Sequence, residues 1–191
     1  MESQIVAETD YVREADHIEF FKTALKPLEF AVVPDVYRDC STDRVLTMSV
    51  VAGQHLDAFL AKHPSQRLRD FVGSRLLELF TFQLLMLEVP HADPGKTLTP
   101  GAQRAVADFA LRFYRKVYPP DPKDAERAFD FSDPDFLRNF LRAAGKLTRA
   151  RPGANPEHVF MVRAEVGLYT TLHRLKARVR TSAIVRRLLT E

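Results

Sequence analysis

The sequence predicts a mainly α-helical protein that carries one short two-stranded β element. Three observations lead there. Apolar residues recur at three- and four-residue steps through most of the chain. Two short runs rich in β-branched residues interrupt that pattern before residue 54. Proline and glycine clusters then cut the remainder into helix-sized pieces.

The elements follow in order. Ile5, Tyr11, Ala15, Ile18 and Phe21 keep near-helical spacing and Pro27 follows, which predicts a helix over 3–26. Phe30-Ala-Val-Val and Arg44-Val-Leu-Thr-Met-Ser-Val-Val predict two strands, near 30–33 and 44–51, with Pro34 to Thr42 as the loop between them. Gly53 closes the second run. Helices are then expected at 56–62, 66–87, 102–117, 134–147 and 156–179, with 182–189 continuing the last. Pro119-Pro120-Asp121-Pro122 and Arg151-Pro152-Gly153 separate the later ones. In the 66–87 helix, Leu76, Leu79, Phe80, Gln83, Leu84 and Leu87 share one apolar-rich face, so that face is expected to be the buried one. In the 156–179 helix, Val162, Val166, Tyr169, Leu172, Leu175 and Val179 do the same.

Composition narrows the function classes. The chain has 191 residues, 46% hydrophobic and 28% charged, which suits one domain with a real core. Its single cysteine, Cys40, excludes an intrachain disulfide and a cysteine metal cluster and fits a reducing compartment. Residues 1–20 lack the apolar core of a signal peptide. The most apolar stretch, Leu84 to Val89, is broken by Glu88 and is too short to span a bilayer. The expected location is the cytoplasm, at most peripheral to a membrane. No metal site and no Ser-His-Asp set can be assembled from the six scattered histidines.

Charge is uneven. Residues 142–191 hold 11 Lys/Arg against 3 Asp/Glu, while 1–141 hold 17 against 22. Arg174, Lys176, Arg178, Arg180, Arg186 and Arg187 crowd the end, with no acidic residue among them until Glu191. Such a run solvates a helix face or meets an anionic partner, and a membrane surface is the favoured partner over nucleic acid.

Four segments carry a family resemblance. Glu8-x-Asp10 is followed by Tyr11-x-x-Glu14-Ala15. Val33-Pro-Asp-Val-Tyr37 is followed by Ser41-Thr-Asp-Arg-Val-Leu-Thr-Met-Ser-Val-Val-Ala-Gly53. Glu78-Leu-Phe-Thr-Phe-Gln-Leu-Leu85 leads to His91-Ala-Asp-Pro94. Arg163-Ala-Glu-Val-Gly-Leu-Tyr-Thr-Thr-Leu-His-Arg-Leu175 lies in the closing helix. Together, and in this order, they resemble the AarF/UbiB family of atypical kinase-like proteins associated with ubiquinone biosynthesis. The resemblance implies a single partial kinase-like domain, with 1–53 as N-lobe remnant and hinge and 54–191 as the helical C-lobe. It also implies ATP and Mg²⁺. Phosphoryl transfer needs a nucleotide held still, metals on its phosphates and a carboxylate aimed at the acceptor. Asp93, with His91 beside it, would stand at the catalytic carboxylate. Met48, Ser49, Val50 and Val51 would form the hinge against adenine. Glu8 and Asp10, about 200° apart if both are helical, would serve the nucleotide and the fold separately.

The residues themselves also fit quieter duties. Asp93 before Pro94 is an ordinary turn pairing, Met48 an ordinary core methionine, and acidic residues at a helix start favour the macrodipole.

The pattern then departs from the family. Pro94 is followed by Gly95-Lys96-Thr97-Leu98, and Leu98 stands where the resemblance requires a metal-holding Asn. Leucine offers no oxygen to Mg²⁺. The second metal carboxylate, from an Asp-Phe-Gly turn, has no counterpart. Asp108-Phe109-Ala110 is rejected for that role because Val106, Phe109, Phe113 and Val117 place it on a helix side. The phosphate-covering loop and the strand lysine also lack counterparts. The expectation is a divergent family member that is vestigial at Asp93 and His91 and does not transfer phosphoryl groups on its own. Two alternatives stay open: a non-catalytic helical module that binds an anionic membrane or a protein partner supplying the missing lobe, and a gene fragment.

Overall fold

The structure, a computed structural model, describes residues 10–86, 108, 110–124, 126–149 and 156–190. It is mostly helical with short antiparallel β pairing, as the sequence predicts. The chain divides into two compact units, Met1–Phe59 and Leu60–Glu191.

In the first unit, helix α1 spans Tyr11–Ala24. It starts later than the spacing predicts because Asp10 caps it, its carboxylate accepting from the Arg13 amide at 3.2 Å. Asp10 is therefore outside the helix, and the angular separation from Glu8 expected for a continuous helix does not apply. Ala15, Leu25 and Leu28 are buried. The antiparallel pairing joins Val36 to Met48, later in the first segment than predicted. Residues 30–33 take no strand pairing. The register moves because the turn between the partners is stapled by its own hydroxyls. Ser41 donates to the Tyr37 carbonyl at 2.8 Å and accepts from the Thr47 amide at 3.0 Å. Thr47 donates to the Cys40 carbonyl at 2.6 Å, and Thr42 Oγ1 accepts from the Val45 amide at 3.1 Å. Those bonds fix 37 opposite 47 and leave one bridge rather than two long strands.

Helix α2, Leu56–Ala61, is followed by α3, Gln66–Met86. A π-helical turn, Ala110–Tyr114, runs into α4, Arg115–Val117. Strand β1 is Phe129–Asp130, α5 is Pro134–Arg149, α6 is Pro156–Leu175, β2 is Arg178–Val179 and α7 is Thr181–Thr190. β1 and β2 pair antiparallel, Phe129 opposite Val179 and Asp130 opposite Arg178. That second pairing is not foreseen by the sequence reading.

Its origin lies at the end of α6. The sequence predicts helix through Val179, but the chain turns at Lys176, whose φ is 49°. The Ala177 amide bonds the Leu172 carbonyl at 3.1 Å and the Lys176 amide bonds the His173 carbonyl at 2.9 Å. This is a Schellman ending built on lysine where glycine is usual, so no glycine announces it. The 182–189 segment is accordingly a separate helix, α7, and not a continuation.

Helix α3 lies over that corner. Gln66 Nε2 donates to the Lys176 carbonyl at 2.8 Å, and Asp70 accepts from the Arg178 amide at 2.7 Å. One turn on, a Cβ at Gly73 would stand 2.6 Å from the Ala177 Cβ and 3.2 Å from Leu172. Residues 66, 70 and 73 share a helix face, so the buried line of α3 runs on through Leu77 and Thr81, with Glu78 beside it. The predicted face is corrected: Leu76, Leu79, Phe80, Gln83 and Leu84 are half-buried. Leu87 lies outside the described residues.

The core of this unit is aromatic. Phe113, Phe131, Phe136, Phe140 and Tyr169 are buried together, with the Phe140 and Tyr169 rings 4.8 Å apart in an edge arrangement. Asp133 starts α5 by accepting from the amides of Asp135 at 2.9 Å and Phe136 at 3.2 Å, with Pro134 in the first turn. Of the predicted inward line, Tyr169, Leu172, Leu175 and Val179 are buried and Val166 is half-buried, while the Val162 side chain lies outside the described residues.

Candidate functional site

The hinge candidates sit in the first unit, and the hairpin beneath them is firmly built. The Tyr37 amide bonds the Thr47 carbonyl at 2.9 Å, and the Ser49 amide bonds the Asp35 carbonyl at 2.8 Å. Ser49 Oγ accepts from the Asp35 amide at 2.8 Å, so its side chain is committed to closing the hairpin. Met48 occupies the bridge. Val50 and Val51 follow the last pairing, and Val50 is 96% exposed. An extended backbone with apolar side chains is the chemistry that could meet a flat heteroaromatic ring.

Helix α1 holds this hairpin through charge. Asp16 and Glu19 are three residues apart on one face, and both bind Arg38 at 2.6 Å, Glu19 through both carboxylate oxygens. The hydrogen bond from Arg38 holds the Glu19 carboxyl below its usual range. Lys22, one turn further, pairs with Asp35. Asp10 is spent on capping α1. Glu8, His91 and Asp93 lie outside the described residues.

Asp108, the candidate for the second metal carboxylate that the sequence reading rejects, is helical and exposed. The helical turn from Ala110 to Val117 follows it. Among the described residues, no three metal-capable side chains converge. Leu98, at the position where the resemblance requires a metal-holding Asn, offers no oxygen to Mg²⁺.

The basic residues do not form one helix face. Arg174 ends α6, Lys176 turns the corner, Arg178 lies in β2, Arg180 links to α7, and Arg186 and Arg187 belong to α7. Several have internal partners. Arg178 reaches Asp130 at 3.3 Å and Arg180 reaches Glu126 at 2.9 Å. Arg186 donates to the Pro120 carbonyl at 2.8 Å. Arg187 pairs with Glu78, a buried carboxylate on α3 that also binds Arg75 at 2.6 Å. The Thr181 and Ser182 hydroxyls donate to the Val117 and Pro119 carbonyls, so the first turn of α7 is tied to the end of α4 and the proline turn. Much of the basic patch therefore holds the C-terminal helix in place. No helix among the described residues is long and apolar enough to cross a membrane.

Residues 1–97 match the family model of the ABC1 atypical kinase-like domain. The chain belongs to that family. Its relatives include the chloroplastic Protein ACTIVITY OF BC1 COMPLEX KINASE 8 of Arabidopsis thaliana, 34% identical over 92 residues. That match covers 48% of this chain and 12% of the relative. The mitochondrial atypical kinase coq-8 of Caenorhabditis elegans is 30% identical over 124 residues, 60% of this chain and 16% of the relative. The mitochondrial atypical kinase COQ8 of Saccharomyces cerevisiae is 26% identical over 139 residues, 65% of this chain and 27% of the relative. The chain thus spans no more than about a quarter of these relatives' lengths.

The ABC1 resemblance gives no role to a second cluster, which the sequence reading misses. Tyr114 Oη donates to Glu165 Oε2 at 2.8 Å, and the Tyr118 and Tyr169 hydroxyls lie 3.4 Å apart. Burial raises the Glu165 carboxyl above its usual range, and burial pushes Tyr118 up to about 12. The signal is in the sequence: Tyr114 and Tyr118 are one helical turn apart, as are Glu165 and Tyr169. A lone glutamate in a mostly apolar stretch does not reveal which helix will face it.

Proposed function

We propose that this chain is a divergent ABC1-type atypical kinase-like protein, linked to isoprenoid-quinone metabolism, that does not transfer phosphoryl groups on its own. The family membership supports the first part, and the names of the relatives as atypical kinases bring the kinase-like reading to this chain. The quinone link rests on the resemblance of the four motifs. The observation that carries the inactive reading is Asp108. Its helical, exposed position supports a side chain in solvent rather than a carboxylate held in a metal-binding turn. Leu98 adds to this, because the position that would supply the other metal oxygen is apolar.

Two carboxamide or carboxylate ligands hold the metals that neutralise charge as the phosphoryl group moves. Without them, Asp93 has no oriented phosphate to act on. Nucleotide binding should suffer for the same reason, because ligand stabilisation requires affinity for the folded state. Purified protein is expected to melt at the same temperature with and without Mg-ATP, measured by differential scanning calorimetry. A rise of several degrees that is lost in Asp93→Asn would overturn the proposal.

A further inference from the structure

The hairpin of the first unit leaves one strand edge bare. The bonds from Tyr37 to Thr47 and from Ser49 to Asp35 flank the Val36–Met48 bridge, so Val36 and Met48 exchange no hydrogen bonds with each other. The amide and carbonyl of Met48 therefore point away from the hairpin. By the alternation of an extended chain, those of Val50 point the same way. Among the described residues, neither has a backbone partner. The side chains along this edge are exposed as well: Val50 at 96%, Val45 at 53%, Val51 at 46% and Met48 at 39%. Sheets commonly protect such an edge with charge or proline. Val45 to Gly53 is a run of nine residues that contains neither. The opposite edge is closed. Pro34 has no amide hydrogen, Asp35 pairs with Lys22, and Arg38 is held by Asp16 and Glu19.

We propose that the Met48–Val50 edge pairs antiparallel with the same edge of a second copy of this chain, giving a twofold dimer centred on Ser49.

The occupant follows from the register. A twofold axis at Ser49 sets Met48 opposite Val50 of the second copy, and Val50 opposite Met48 of the second copy. Both members of each pair carry outward amides and carbonyls, so each pair exchanges both of its N–H···O bonds. A slip of one residue would set outward groups against inward ones and turn the side chains to the wrong face. In the proposed register a methionine meets a valine twice, with no charge brought against its like. A strand from another protein would have to supply a matching uncharged segment, whereas this chain already holds one. The same backbone groups are those that the family resemblance offers to adenine, so a paired edge leaves none of them for a nucleotide.

An edge contact this short belongs to the small, transient class of interface. Analytical ultracentrifugation of the intact chain from about 10 μM to about 1 mM, the range that suits such contacts, should show monomer passing to dimer. Amide-resolved hydrogen exchange over the same range should show Met48 and Val50 gaining protection with concentration. The Ser49 amide, already bonded to Asp35, should not change. Val50→Lys puts a charge on the edge at a side chain with no packing to lose. It should raise the dissociation constant about tenfold or more and leave the far-UV circular dichroism as it was. Leu189→Lys, at another exposed apolar side chain (64%) on α7, should leave the dimer intact. A chain that stays monomeric at about 1 mM leaves the edge to a strand from another protein and overturns the proposal. So does a dimer that Val50→Lys spares, one that Leu189→Lys weakens equally, or one that forms without protecting Met48 and Val50.

Discussion

Phe140→Ala is expected to lower the unfolding free energy of the Leu60–Glu191 unit by about 3–5 kcal/mol, the range for emptying a buried phenylalanine site. Phe140 is fully buried, and its ring contacts those of Phe113, Phe136 and Tyr169 at 5.8, 6.2 and 4.8 Å. The hole would open at the centre of three rings that are themselves fixed by helices, so it cannot collapse cheaply. Each lost edge contact adds to the transfer cost. Near-UV circular dichroism of tyrosine reports this unit well, since Tyr114, Tyr118 and Tyr169 are three of the five tyrosines. Denaturant titration followed by that signal should give a lower midpoint with an unchanged slope. A loss below about 1 kcal/mol, as for an exposed position, would mean the aromatic cluster is not the core.

Gly73→Ala is expected to destabilise the same unit by about 2 kcal/mol, against the usual effect of the substitution. In an exposed helix, alanine gains about 1 kcal/mol over glycine. Here the new methyl would stand 2.6 Å from the Ala177 Cβ, with Leu172 at 3.2 Å and Val179 at 3.3 Å. An alanine Cβ cannot rotate away, so the backbone of α3 or of the α6 corner must shift, which costs more than the propensity gain. Movement would also strain the bonds from Gln66 and Asp70 to the same corner. Adding Ala177→Gly to Gly73→Ala should recover part of the loss, by the coupling expected between touching residues. Stabilisation by Gly73→Ala, followed by thermal melting, would show that α3 does not seat on Ala177.

These two sites show how far the residues alone carry the fold. Helix periodicity located α3, α5 and α6, and the C-terminal end of α1, to within a few residues, because three- and four-residue apolar spacing survives whatever the helix packs against. It set the buried face of α3 partly to one side, since Leu76, Leu79, Phe80, Gln83 and Leu84 are half-buried and the fully buried line runs through Gly73, Leu77 and Thr81. That helix is apolar around much of its circumference, and its closest contact is made by Gly73, which periodicity counts as neutral. The Lys176 turn was invisible for a related reason. A left-handed C-terminal residue is usually glycine, and a lysine flanked by arginines reads as helix surface. The two-residue β pairing that follows from that turn was hidden with it.

The site was legible through motif order rather than chemistry. Motif order pointed to the family whose model matches residues 1–97, and Asp108 is helical as the spacing around it predicts, with 102–107 and 109 outside the described residues. Asp10, which with Glu8 was to be shared between nucleotide and fold, and Ser49, a hinge candidate, each have a local duty in the structure: a helix cap and a hairpin closure. Polar residues near element ends commonly serve both descriptions in sequence. The basic run could not be resolved without partners in hand. Glu78, Glu126 and Asp130 come from distant parts of the chain and claim Arg187, Arg180 and Arg178.

The most direct measurement is phosphate release from ATP by the purified chain, compared with Asp93→Asn, each with Mg²⁺ and with chelator. The expected result is the same background rate in all four samples. A release that requires Mg²⁺ and disappears in Asp93→Asn would contradict the proposal that the chain cannot transfer phosphoryl groups on its own.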